Sequence, residues 1–235
     1  LLPRARRLFE ELVISPGLQL LVPSNEQSGT LFDHSPNRFT GTPTGSPTFS
    51  TALEDFYGLT YDGSDDLVSF GAQSALNFER TQAFSVLVLF RQTSTTVNML
   101  VGQYDISGGG NRGWQVSLST FPNFRFILGN SVTDRIHVYE TTIFSNNTIQ
   151  LFGVVYTGSS AASGVTIYKN GASVALTTVT DALTATTVTT ATSANIGAIV
   201  SGTSHFTGDI GLVAVLNRAV TAQEMKRFAA LAGMI

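Results

Sequence analysis

FTGDIGLVAVLNRAVTAQE, residues 206–224, is the stretch on which the fold class turns. Gly208 and Asp209 read as a turn, since Gly supplies positive φ and Asp bonds its own backbone. Ile210, Leu212, Val213, Val215 and Leu216 follow as an apolar run of strand length. Asn217-Arg218 breaks the run. Thr221 then stands three residues before Glu224, the spacing of a capping box. In that motif the Thr oxygen accepts from the Glu amide and the Glu side chain returns to the Thr amide. The stretch predicts a buried strand that hands over to a short C-terminal helix closing the domain.

The opposite end predicts the other helix. Over Leu1 to Val13, the residues Leu1, Ala5, Leu8, Phe9 and Leu12 recur at helical spacing. Ser15-Pro16-Gly17 ends the run. Such a helix either docks on its own domain or offers a handle to a neighbouring subunit, because terminal elements order only when tied down.

Between the helices the pattern is β. Leu18, Leu20 and Val22 open it, and Phe84 to Phe90 is dense in β-branched and aromatic residues, as in a buried strand. Met99–Tyr104, Gly113–Leu118, Phe124–Leu128, Ile136–Tyr139, Thr148–Tyr156 and Val165–Tyr168 continue the series. Lys169-Asn170-Gly171, flanked by Val165–Tyr168 and Val174–Leu176, is a hairpin signal, since both Asn and Gly tolerate positive φ. Thr40 to Thr51, rich in Gly, Pro, Ser and Thr, reads as a surface loop. Asp105 to Arg112, with Gly108-Gly109-Gly110, reads as a long flexible tip, and Asp181 to Ser193 as weakly β. Many short strands with helices only at the ends predict an all-β, antiparallel two-sheet sandwich with short N- and C-terminal helices. Residues 1–16 are expected to form a helical extension and residues 17–235 a single domain.

Composition narrows the function classes. Hydrophobic residues make up 43% of the 235 positions, enough for a sizeable core, and only 12% are charged. Polar surface therefore comes from Ser, Thr, Asn and Gln. Net charge is -3, and apart from Arg4, Arg6 and Arg7 the basic residues are scattered, so no nucleic-acid footprint is expected. With no cysteine, disulfide frameworks, thiolate metal sites and Cys nucleophiles are excluded. No apolar run reaches the ~18 residues of a membrane span. The chain opens on Leu1 rather than Met and is expected to be a processed or trimmed product.

The ordered cues resemble the laminin-G-like, concanavalin-A-like jelly-roll family, in its bacterial or phage branch. Gly17 to Pro23 with Asp33-His34-Ser35-Pro36-Asn37 and Gly41 is similar to the family opening. Tyr61-Asp62-Gly63-Ser64-Asp65-Asp66-Leu67-Val68 resembles its acidic turn and strand, and Tyr168-Lys169-Asn170-Gly171 its hairpin. Ile196-Gly197-Ala198, Phe206 to Ile210 and Asn217 to Thr221 resemble its closing pattern. The cues run over roughly residues 17 to 232. The family's usual Asp-Glu after the closing Ile is Gly211-Leu212 here. The carboxylate run of the family's glucanase branch is missing.

Few residues point to chemistry. Asp62, Asp65 and Asp66 are the densest acidic group. They read as Asx turns on a solvated loop or as a calcium site, since hard cations take carboxylate and carbonyl oxygens and some relatives bind calcium. Glycoside hydrolysis needs two carboxylates flanking the scissile bond, and no such pair stands out. His34, His137 and His205 lack zinc-site spacing, and no G-x-S-x-G occurs. Trp114, Tyr104 and Tyr139 can stack on a sugar ring or another partner, with Arg112 and Asn111 beside Trp114 as polar contacts. Trp114 alternates with Val116 and Leu118, which equally fits an inward core residue.

The resemblance and the missing catalytic constellation lead us to expect a non-catalytic module. It would bind glycan or protein at an extracellular or virion surface, without nucleic acid. The alternative is a structural virion component, a capsid decoration or tail-associated protein, tethered to other subunits through residues 1–16. A glycoside hydrolase or lyase is the third reading.

Overall fold

A computed structural model of the chain describes residues 3–24, 30–94, 98–107, 110–119, 123–141, 145–189, 191–199 and 204–235. After helix α1 (Pro3–Val13) come β1 (Leu18–Val22), β2 (Leu31–Phe32), β3 (Thr40–Thr44), β4 (Thr48–Leu53), β5 (Phe56–Asp62) and β6 (Leu67–Ser69). A helical turn at Ser74–Leu76 leads to β7 (Phe84–Gln92), β8 (Asn98–Asp105), β9 (Arg112–Leu118), β10 (Phe124–Gly129), β11 (Arg135–Glu140) and β12 (Ile149–Tyr156). The chain closes through β13 (Val165–Lys169), β14 (Ala172–Ser173), β15 (Leu176–Asp181), β16 (Asn195–Ile196), β17 (Thr207–Leu216) and helix α2 (Ala222–Leu231).

Strands β14, β13, β12, β7, β17, β5 and β4 lie in that order, with β1 added beside β17, as an eight-stranded sheet. Strands β15, β11, β10, β9, β8, β16, β6, β3 and β2 make a nine-stranded one. Every pairing is antiparallel. β17 is the hub. One edge pairs along β7, while the other meets β5 through Thr207–Ile210 and β1 through Val213–Leu216.

The first sheet is buried on both faces, which is why β7 and β17 read as continuous apolar runs rather than alternating ones. Phe84, Val86, Val88 and Phe90, with Ile210, Val213 and Val215, point into the sandwich. Leu87, Leu89, Leu212, Ala214 and Leu216 point the other way, against Ala5, Leu8 and Leu12 of α1 and Met225, Phe228 and Ala229 of α2. Arg227 of α2 reaches Glu11 of α1 at 2.7 Å. We call this the covered sheet. The second has one face in the sandwich core, and neither helix lies on its outer face; we call it the open sheet.

The capping box is present. Glu224 donates its backbone N–H to Thr221 Oγ1 at 3.2 Å, and the Thr221 N–H reaches Glu224 Oε2 at 2.8 Å. Arg218 clamps the same carboxylate at 3.0 and 2.6 Å, and its hydrogen bonds are the largest cause holding Glu224 down at about 2. The hairpin also forms, with Asn170 and Gly171 at φ 49° and 81°.

Three expectations need correction. Gly208-Asp209 is not a turn but part of β17, because Arg91 neutralises the Asp209 carboxylate within the sheet. Thr40–Thr51 is no loop: β3 and β4 occupy most of it, β3 on the open sheet and β4 on the edge of the covered one. Val174–Leu176 does not complete the Asn170-Gly171 hairpin as one strand. That pairing ends with the Val174 N–H on the Ile167 carbonyl at 3.0 Å, and β15, starting at Leu176, crosses to pair with β11 in the open sheet.

One buried acid makes stability depend on pH. Glu140 follows Ile136 and Val138 on the inward face of β11 and is fully buried. Burial pushes its carboxyl up to about 7, although Lys169 and the Phe124 N–H favour its ionised form. The folded chain thus keeps this proton to higher pH than the unfolded chain does. Stability is full below the ordinary carboxylate range and is lost as pH rises through 7. Glu140→Gln removes that loss. In urea titrations it is expected to exceed the parent by about 2 kcal/mol near pH 8.5 and to match it near pH 4. Equal gains at both pH values would show that ionisation is not the cause.

Candidate functional site

Alternation along the open sheet sorts its side chains. Trp114, Val116 and Leu118 of β9, Phe124, Phe126 and Leu128 of β10, and Ile136 and Val138 of β11 lie in the sandwich core. Their neighbours must face outward: Gly113, Gln115 and Ser117; Arg125, Ile127 and Gly129; Arg135, His137 and Tyr139. Register sets these in rows across the strands. Tyr104, Gly113, Gly129 and Arg135 form one row, Gly102, Gln115, Ile127 and His137 the next, and Met99, Ser117, Arg125 and Tyr139 the third.

The first row is closely packed. Two glycines stand between Tyr104 on β8 and Arg135 on β11, and at Gly113 a Cβ would lie 2.0 Å from the Gln103 carbonyl oxygen. At Gly129 a Cβ would lie 2.7 Å from the Arg135 Cβ and 3.2 Å from the Asn111 carbonyl oxygen. The segment before β9 therefore folds over this end of the face, which Asn111 permits by adopting φ 47°. Tyr104 donates its hydroxyl to Asn111 Oδ1 at 3.4 Å, and Arg125 donates Nε to Ser117 Oγ at 2.9 Å.

The floor is buried and the rim is not. Tyr104, Gln115, Ile127 and Met99 are almost wholly buried, whereas Arg125, Arg135, His137 and Tyr139 are half-buried. Burial raises the Tyr104 hydroxyl, and Arg135, Arg125 and Gln115 oppose that rise. Burial first, then the charges of Arg125 and Arg135, push His137 down to about 4. Its imidazole is neutral at neutral pH. Gln115 Oε1, Arg135 Nε and His137 Nδ1 are buried atoms without a hydrogen-bond partner among the described residues. The outward positions of β8 to β11 carry no carboxylate.

Of the residues singled out from sequence, Tyr104 and Asn111 meet at this face. Arg112 is exposed at the start of β9. Trp114 points away from it: it is 1% exposed, packs against Phe78 and Phe84, and donates Nε1 to the Leu76 carbonyl at 2.6 Å. Gly108 and Gly109 of the expected flexible tip lie outside the described residues. Tyr139 stands on this face too, while Gln115, Arg125, Arg135 and His137 were missed. The signal for them was available in the alternation of β9 to β11 once Trp114 is set inward.

Asp62, Asp65 and Asp66 do gather, with ligand oxygens within 4.8 Å of one another. Oxygens of this kind suit a hard cation. Two of the three also brace the backbone. Asp66 accepts the N–H groups of Ser46 at 2.7 Å and Asp62 at 2.9 Å, and Asp62 accepts that of Ser64 at 2.7 Å. No helix among the described residues is long and apolar enough to cross a membrane.

Solved structures share this architecture at low identity. The binding domain of Paraclostridial Mosquitocidal Protein 1 matches with a TM-score of 0.69 and 12% identity, over 91% of this chain and 52% of that one. The binding domain of botulinum neurotoxin serotype G matches with a TM-score of 0.68 and 11% identity, over 90% and 50%. A Trypanosoma rangeli sialidase in complex with sialic acid matches with a TM-score of 0.67 and 12% identity, over 98% and 37%. The chain thus spans about half or less of the length of these structures, and the likeness shows the fold. No curated protein matches the sequence. The model of the concanavalin A-like lectin/glucanases superfamily matches residues 62–226, from the acidic turn to the middle of α2. With two antiparallel layers and a polar outer face on the open sheet, the chain belongs to the concanavalin A-like lectin/glucanases superfamily.

Proposed function

We propose that the chain is a non-catalytic recognition module, acting at an extracellular or virion surface, that binds a saccharide on the outer face of the open sheet. One observation carries this reading: on the outer face of the open sheet half-buried Arg125, Arg135, His137 and Tyr139 stand in register with buried Tyr104, Gln115 and Ile127, which brings aromatic, amide and guanidinium groups together. Hydroxyl-rich ligands are held by that mixture of ring faces and planar donors. Family membership and the binding domains among its structural neighbours support the same reading. Hydrolysis is disfavoured by the missing pair of carboxylates on this face.

A role as a virion subunit held through residues 1–16 would have to use the polar side of α1, because Ala5, Leu8 and Leu12 are already packed on the covered sheet. That weighs toward recognition. The test is a glycan array probed with the full chain, alongside Gln115→Ala. Binding to a defined saccharide class that Gln115→Ala weakens is the expected result. Silence across the array, or binding indifferent to this substitution, rejects the open sheet as a saccharide site.

A further inference from the structure

We infer that a cleft beside the helical turn Ser74–Leu76, separate from the outer face of the open sheet and independent of the saccharide reading, takes a primary ammonium group. The cleft has a volume of about 350 Å³ and is lined by Ala72, Gln73, Ser74, Asn77, Gln103 and Thr189. That volume is at the small end for ligand pockets and suits one compact group. Gln103 stands opposite Trp114 in the register of β8 with β9, so its side chain turns to the inward side of the open sheet. Asn77 follows the helical turn and is clasped to Thr189. Its Nδ2 donates to the Thr189 carbonyl, and the Thr189 N–H reaches its Oδ1 at 2.8 Å. None of the six lining residues is charged.

All three carboxamides of the lining spend their nitrogens on the protein. Asn77 gives its own to the Thr189 carbonyl and Gln73 to the Phe70 carbonyl, while Gln103 Nε2 donates to Thr189 Oγ1 at 3.4 Å. Their oxygens are what remains. Gln103 is 1% exposed, and its Oε1 is buried without a hydrogen-bond partner among the described residues. A buried acceptor left without a donor is costly, so this oxygen calls for a donor delivered through the cleft. Each amide oxygen has two lone pairs, so Asn77 Oδ1 keeps one beyond the Thr189 bond. A ligand matched to such a lining is rich in donors and poor in acceptors. An ammonium group has three donors and no acceptor, whereas a hydroxyl brings lone pairs that find few donors here. Charge favours the same choice. Glu79 lies two residues after Asn77 and accepts from the Thr186 hydroxyl and the Thr187 N–H, which sets a carboxylate on the segment that carries the clasp. The neighbouring Arg80 turns its Nη1 to Ser160.

The test is a titration of the full, nitrogen-15-labelled chain, followed through its side-chain amide signals. The probes are butylammonium, butanol, butylguanidinium, a capped tripeptide with a central lysine, and the same peptide with acetyl-lysine. Butylammonium should shift the Gln103 amide signal and bind roughly ten- to a hundredfold more tightly than butanol, the worth of a charge-assisted contact. A lysine peptide tighter than butylammonium identifies the source as a protein side chain, and one no tighter identifies a free amine; both support the inference. Gln103→Leu should abolish binding. Ser74→Tyr, at an exposed position of the lining, should block the cleft with the melting temperature unchanged, so the inference is tested even where the Gln103 variant does not fold. Butanol or the acetyl-lysine peptide binding as tightly as the amines overturns the inference, as does butylguanidinium outcompeting butylammonium. Binding that survives both substitutions also overturns it. So does a Gln103 signal that no amine moves, which would leave water alone on that oxygen.

Discussion

Trp114→Ala lowers stability by roughly 3–5 kcal/mol while leaving ligand affinity of the folded fraction unchanged. The side chain is among the largest that are fully buried, and its ring lies 5.8 Å from Phe84 and 6.2 Å from Phe78, centroid to centroid. Phe84 in turn stacks on Phe78 at 4.4 Å and meets Phe126 and Tyr156. Truncation opens a cavity at the centre of this aromatic cluster, where β7, β9, β10 and β12 come together, and the rings cannot collapse to fill it. It also leaves the Leu76 carbonyl, which closes one end of the sandwich, without its donor. Urea titration followed by far-ultraviolet circular dichroism measures the loss. The parent offers a second check. Trp114 is the sole tryptophan, so its fluorescence should report a buried indole, shift red on unfolding and stay unmoved by saccharide. A variant of parental stability that no longer binds would place Trp114 at the ligand instead.

The same residue shows how far the sequence could be read. Alternation of Trp114 with Val116 and Leu118 fits a place inside, yet an aromatic beside a polar tip also suits a sugar platform. Only the pairing of β9 with β10 settles the matter, by setting Trp114 opposite Leu128 in the core. Local signals were legible where one segment contains the whole interaction. Thr221 with Glu224 and Asn170 with Gly171 each close within a few residues, and both appear as expected. Segments whose partners lie outside the segment itself were misread. Thr40–Thr51 has turn-forming composition, but β3 and β4 gain hydrogen-bonded neighbours from β6 and β5. The proposed face failed for the same reason. Arg125, Arg135 and Gln115 are unremarkable singly, and only register across β8 to β11 turns them into a cluster.

Asp209→Ala is expected to cost about 3–5 kcal/mol, the penalty for leaving a buried ion pair with one member. Asp209 is 1% exposed, on the face of β17 turned away from the sandwich core. Its Oδ2 accepts from Arg91 Nε at 2.9 Å and Nη2 at 2.7 Å, and its Oδ1 accepts from Ser50 at 2.5 Å and Thr60 at 2.6 Å. Four donors from β4, β5 and β7 thus converge on one carboxylate, tying the edge of the covered sheet to its hub. Removing the acid strands all four. Removing Arg91 as well should recover part of the loss, because the guanidinium, 26% exposed, no longer has to be held unpaired. A double-mutant cycle of Asp209→Ala and Arg91→Ala, read by chemical denaturation, isolates the pair from the two hydroxyl contacts. Additive losses would mean that the pair is not coupled and that Ser50 and Thr60 alone explain why an aspartate sits inside a strand. A coupling above about 1 kcal/mol shows that Arg91 makes the acid tolerable there, which is the physical reason β17 begins at Thr207 and not after Asp209.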